Sequence, residues 1–112
     1  MTEYHFLIEF FVFQEEQAYI AYCPALDLST CAETYNEAIG NFYEMFQLHI
    51  ETCLENGTLQ EDLLAHGWKL RKKNIQPPTF TLLMKKPEMK KLLNSRINFE
   101  RIVAPARIPV IA

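Results

Sequence analysis

The stretch from Thr34 to Gly57 constrains the fold most, because both ends of one long helix are written into it. Thr34 followed by Glu37 is a capping box. The Thr hydroxyl can accept from the Glu37 backbone N–H, and the Glu carboxylate can accept from that of Thr34. A helix is expected to start at Tyr35, and Gly57, which reaches the left-handed conformation without steric cost, to end it. With about 3.6 residues per turn, Tyr35, Ala38, Ile39, Phe42, Phe46, His49, Ile50, Cys53 and Leu54 share one apolar arc. Glu37, Glu44, Gln47, Glu51 and Glu55 lie opposite. A helix this one-sided needs an apolar surface to rest on.

The preceding residues supply that surface. In residues 4–13, Tyr4, Phe6, Ile8, Phe10 and Val12 form a wholly apolar face of a strand, and His5, Leu7, Glu9, Phe11 and Phe13 a mixed one. The polar run Gln14, Glu15, Glu16, Gln17 breaks it. Residues 18–23 then resume strand composition, and Pro24 ends them or marks a sheet edge, so the two runs read as an antiparallel hairpin. Residues 28–32 make a short third strand.

Beyond Gly57, Thr58 and Glu61 repeat the capping pattern, and Gly67 is expected to stop a short helix carrying Leu59, Leu63 and Leu64. The two helices cover one face of the sheet. Pro77 and Pro78 form a stiff linker, and residues 79–84 (TFTLLM) have strand composition. Pro87 suits the first position of a short helix with Met89, Leu92 and Leu93 inward and Lys90 and Lys91 outward. Residues 99–111 read as extended, confined to a sheet edge or to broken strands by Pro105 and Pro109. The fold class is thus α+β: an antiparallel sheet of three to four strands under a long and a short helix. Residues 1–68 form a βββαα module, and residues 69–112 a basic extension packed on the same domain or on a neighbouring subunit.

Charge divides the chain at the same place. Residues 1–68 hold 12 Asp and Glu with no Lys or Arg, whereas residues 69–112 hold 11 Lys and Arg with only Glu88 and Glu100 opposing them. So sharp a division implies that one half meets a basic partner and the other an acidic one, or that the halves meet each other. Fourteen aromatic residues among 112 argue against disorder, and three glycines against a glycine-rich phosphate loop. No apolar stretch is long enough to span a membrane and the first residues lack a secretory pattern, so a soluble, unprocessed cytoplasmic protein is expected. Three cysteines without paired spacing fit a reducing compartment.

Enzymatic signals are weak. Cys23, Cys31 and Cys53 stand near no histidine in a nucleophile signature, and Glu15-Glu16 and Glu61-Asp62 read as solvated carboxylates at a turn and a helix start. His49 and Cys53, four apart on a helix, could share a metal only if Cys23 and Cys31 completed the site with irregular spacing. No metal or other cofactor is therefore expected. Lys69, Arg71, Lys72, Lys73, Lys85, Lys86, Lys90 and Lys91 could neutralise phosphates, but no ribbon-helix-helix or helix-turn-helix pattern accompanies them. They suit a nucleic-acid contact or an intersubunit contact equally well.

Residues 5–68 resemble the HicB-type antitoxins of HicAB toxin-antitoxin systems. The likeness rests on the run AYIAYCPALDLSTCAETYNEAI, a following amphipathic helix and a closing NGTL…GW, with matches at Tyr19, Ala21, Tyr22, Pro24, Leu26, Thr34, Glu37 and Ala38. Ala32 stands where the family carries Gly, and Leu28, Ser29 and Thr30 replace its Pro-Gly-Cys turn. The resemblance implies a partial ribonuclease H-like fold without catalytic carboxylates, and a non-enzymatic role: neutralising a small basic HicA-type mRNA-interferase toxin. Glu15, Glu16, Asp27 and Glu33 are the expected toxin contacts. A homo-oligomer, dimer or tetramer, is expected as well; the alternative is a stand-alone HicB-like oligomeric scaffold or a DNA-binding transcriptional regulator, in either case without a toxin.

Overall fold

The structure is a computed structural model, and residues 3–72 and 74–109 are described. Three strands come first, β1 (Glu3–Glu15), β2 (Ala18–Cys23) and β3 (Leu28–Ala32), then helices α1 (Tyr35–Asn56) and α2 (Leu59–Ala65). Two-residue strands β4 (Lys69–Leu70) and β5 (Ile75–Gln76) pair as a small separate ribbon. They are followed by helices α3 (Phe80–Leu83) and α4 (Pro87–Asn94) and by strand β6 (Phe99–Pro109). The main sheet is antiparallel in the order β3-β2-β1-β6, so the C-terminal strand of the basic extension closes the sheet begun by the acidic half. The class is α+β, as the hydrophobic periodicity predicts.

Register explains which side chains meet. Val12 faces Ala21 and Glu100, and Phe11 faces Tyr22 and Arg101. Because opposed residues project to the same side, Tyr4, Ile8, Phe10, Val12, Ala21, Cys23, Ala104 and Ile108 bury one face. Onto it α1 lowers Ala38, Phe42, Ile50 and Cys53, and α2 adds Leu59 and Leu63. Phe42 stacks on Phe10 with ring centroids 4.0 Å apart. Truncating a buried ring of this kind to Ala costs about 3–5 kcal/mol. The N-cap and C-cap of α1 stand where the sequence puts them: the Thr34 hydroxyl accepts from the Glu37 N–H at 3.2 Å, and Gly57 sits at φ 68°, while the return bond from the Thr34 N–H to the Glu37 carboxylate is absent among the described residues.

The other sheet face is covered in part by α4. Met89 and Leu92 pack on Phe11 and Tyr22. Pro87 opens this helix as expected, and Lys90 and Lys91 point outward, but Leu93 is exposed rather than inward. On the first face Leu54 and Leu64 are likewise more exposed than their periodicity predicts.

Two local expectations fail for identifiable reasons. Residues 79–84 are not a strand: the Thr79 hydroxyl accepts from the Leu82 N–H at 3.3 Å and caps α3. The second capping box does not form either. Gly57 N–H bonds the Leu54 carbonyl and Thr58 N–H bonds the Cys53 carbonyl at 2.8 Å, a Schellman closure of α1 that claims Thr58 first. The Thr58 hydroxyl turns back to the same Cys53 carbonyl, and its backbone at φ -112°, ψ 5° is not that of an N-cap.

β6 is continuous over its described length, not broken; Val110 and Ile111 lie outside the described residues. Pro105 and Pro109 are an even number of residues apart, so both place their missing N–H on the same, outer side and leave the ladder to β1 intact. No helix among the described residues is long and apolar enough to cross a membrane.

Candidate interaction surface

Few acids of the first 68 residues meet a base of their own chain among the described residues. Among the described residues, Arg101 pairs with Glu9 and Arg107 with Glu3 at 3.6 Å, both across the β1–β6 ladder. Among the described residues the other ten acids of residues 1–68 have no Lys or Arg partner, and nine of them are exposed. The two arginines that join the halves are not among the basic residues singled out from the sequence. Lys69, Arg71, Lys72, Lys85, Lys86, Lys90 and Lys91 form no ion pair among the described residues, and Lys73 lies outside them. They also fall on separate elements: the β4–β5 ribbon, the α3–α4 connection and the outer side of α4.

The hairpin tip organises the acids. Glu16 and Gln17 connect β1 to β2, with Glu16 at φ 56°. Glu15 and Asp27 stand at opposite ends of β2, yet both line one groove of about 450 Å³ between the second sheet face and α4. Its floor is apolar, with Phe13, Ile20, Tyr22 and Ile97, and Glu88 adds a third carboxylate against the single base Lys91. The Tyr22 hydroxyl donates to Asp27 Oδ1 at 3.0 Å and fixes that carboxylate, whose residue holds φ 53°. Burial, then this bond, raises the Tyr22 pKa. Two residues before Asp27 in the same turn, the Ala25 carbonyl accepts from the Trp68 indole N–H at 2.7 Å.

Around the tip a second groove of about 660 Å³ is lined by Glu16, Tyr19, Tyr35 and Glu100, and shares Phe13 and Ile97 with the first. The Tyr35 hydroxyl donates to Glu100 Oε2 at 2.6 Å, joining the start of α1 to β6; this bond raises the Tyr35 pKa. The two grooves open on opposite faces of the sheet and meet only at Phe13 and Ile97: the one under α4 carries Glu15, Asp27 and Glu88 against Lys91, and the one beside α1 carries Glu16 and Glu100. Glu33, exposed after β3, lines neither groove. Glu88 and Glu100 escaped sequence reasoning because they belong to the basic half and reach the hairpin only through α4 and β6.

One cluster of reactive side chains lies elsewhere, between α1 and α2. His49 Nε2 is 3.0 Å from Asp62 Oδ2 and 3.8 Å from Cys53 Sγ. Asp62 is therefore not the solvated helix-start carboxylate that its position beside Glu61 suggests. Cys23 is buried in β2 and Cys31 is exposed on β3; neither joins the cluster. No family model, curated protein or solved structure matches the chain.

Proposed function

We propose that the chain is a HicB-type antitoxin-like protein with a partial ribonuclease H-like fold, which binds a small basic HicA-type mRNA interferase and covers its RNA-binding surface. The observation that carries this reading is the hairpin, where a groove on each face of the sheet sets carboxylates beside apolar side chains: Glu15, Asp27 and Glu88 against Lys91 on one, Glu16 and Glu100 on the other. Such a surface steers a basic partner electrostatically and then offers it apolar area and aromatic faces for guanidinium groups. The family-like residues support it: Pro24 and Leu26 are buried in the β2–β3 turn, Thr34 caps α1, and Ala38 is fully buried where α1 meets the sheet. The chain acts by binding, not catalysis. In the His49 cluster both contacts end on one ring nitrogen, so that nitrogen cannot take a Cys53 proton while the other is held by a carboxylate, as a nucleophilic relay needs.

Co-expression with the product of the adjacent small open reading frame, followed by co-purification, tests the reading. A stable complex is expected, lost on the double reversal Glu15→Lys/Glu16→Lys and kept by Glu51→Lys/Glu55→Lys on the outer side of α1. Absence of a complex, or equal loss in both variants, counts against it.

A stand-alone oligomer is the second reading, favoured by the outer edge of β6 and by the exposure of Leu7 and Val103 beside it. Light scattering that finds monomer alone at micromolar concentration removes it.

A further inference from the structure

We infer that His49, Cys53 and Asp62 form a Zn²⁺ site that joins α1 to α2. Three different ligand types converge there: an imidazole nitrogen, a thiol sulfur and a carboxylate oxygen, all within 4.8 Å of one another. With metal–nitrogen and metal–oxygen bonds near 2.0 Å and a metal–sulfur bond near 2.3 Å, tetrahedral ligands stand about 3.3–3.5 Å apart. The observed separations of 3.0 Å for His49 to Asp62 and 3.8 Å for His49 to Cys53 bracket that value. The Cys53 Sγ to Asp62 separation, within 4.8 Å, is the one that must close, by up to about 1.3 Å, which rotation of the partly exposed Asp62 side chain can supply.

The arrangement favours a shared centre over a chain of proton transfers, because both the Asp62 and the Cys53 contact end on His49 Nε2. His49 and Cys53 are one turn apart on the same side of α1, and the Schellman closure at Gly57 and Thr58 folds α2 back so that Asp62 meets them. His66 helps hold Asp62 in place: its Nδ1 donates to the Asp62 carbonyl at 2.7 Å and lies 3.7 Å from Oδ2. The His49 and Asp62 side chains are about one fifth exposed (22% and 21%), which opens the site to solvent on one side, while Cys53 lies buried behind them.

A mixed sulfur, nitrogen and oxygen set suits Zn²⁺ over Mg²⁺ or Ca²⁺, which take oxygen ligands. Loading releases the Cys53 thiol proton to solvent; the thiolate, the neutral His49 Nε2 and one Asp62 oxygen then each donate a lone pair, and water completes the tetrahedron. This site is independent of the hairpin surface, so it stands or falls apart from the antitoxin reading.

Titration of the metal-stripped full chain with Co²⁺, then Zn²⁺, tests it. One equivalent of Co²⁺ is expected to give a thiolate-to-cobalt charge-transfer band and strong visible bands of tetrahedral geometry, both erased by Zn²⁺. Cys53→Ser removes the charge-transfer band, and Cys31→Ser leaves it. His49→Gln and Asp62→Asn each weaken binding about tenfold or more; both positions are partly exposed, so these variants carry the test if Cys53→Ser fails to fold. The site is refuted if no charge-transfer band appears, if Cys31→Ser and not Cys53→Ser removes it, or if affinity is unchanged in His49→Gln and Asp62→Asn.

Discussion

Trp68, the last residue before the basic half, should be worth far more than its place at the end of a short helix suggests. Its indole is 3% exposed, its ring meets Phe6 edge-on at 5.1 Å, and its N–H reaches across 43 residues to the Ala25 carbonyl. Trp68→Phe keeps an aromatic ring in the pocket but strands that carbonyl, in a turn where Pro24, Ala25 and Leu26 are all buried. A stranded buried polar group costs about 1–3 kcal/mol, and the smaller ring leaves unfilled volume at about 24 cal/mol per Å³. A loss of about 2–3 kcal/mol follows. At roughly 4 °C per kcal/mol for a domain of this size, Tm falls by about 10 °C. Urea unfolding followed by far-ultraviolet circular dichroism measures it, since the substitution removes the only tryptophan. Trp68→Ala, which empties the pocket, should lose about 3–5 kcal/mol. A Trp68→Phe loss below about 0.5 kcal/mol, at unchanged denaturant slope, would refute the assignment of the indole bond as the tie between the β2–β3 turn and the helical layer.

The two helix glycines should respond with opposite signs to Ala. Gly57→Ala forces a Cβ into φ 68° and costs about 1 kcal/mol or more, whereas Gly40→Ala, mid-helix with nothing within 4 Å of the new Cβ, gains about 0.5–1 kcal/mol; urea melts resolve both. Burial pushes the Cys23 thiol up to about 12 from an ordinary 9.0, against backbone hydrogen bonds that lower it. Its contribution is therefore fully present below pH 9 and is lost as pH rises toward 12. Stability should fall by up to about 1.4 kcal/mol per pH unit across that window, and Cys23→Ala should flatten the slope in thermal melts.

Local signals were legible and distant ones were not. Thr34 and Gly57 act on their own helix, so both ends of α1 could be placed from sequence, as could the strand periodicity of residues 4–13. The same capping pattern misled at Thr58 because the end of α1 had already taken that residue's N–H and hydroxyl. Residues 79–84 misled through β-type composition, while Thr79, lacking a Glu three residues on, gave a weak helix signal. The hairpin surface was half visible: Glu15, Glu16 and Asp27 could be named, but Glu88 and Glu100 depend on how α4 and β6 return to the sheet. Asp62 lies 13 residues from His49 across a helix break, and only the angle between α1 and α2 brings them together.

Growth reads out most directly the proposed neutralisation of a basic toxin by the acidic hairpin. Expression of the adjacent small open reading frame alone should arrest growth, co-expression of this chain should restore it, and the Glu15→Lys/Glu16→Lys variant, folded and equally abundant, should fail to restore it. Persistent arrest with the wild-type chain present and folded would contradict the account, as would rescue by the reversed variant equal to that by the wild type.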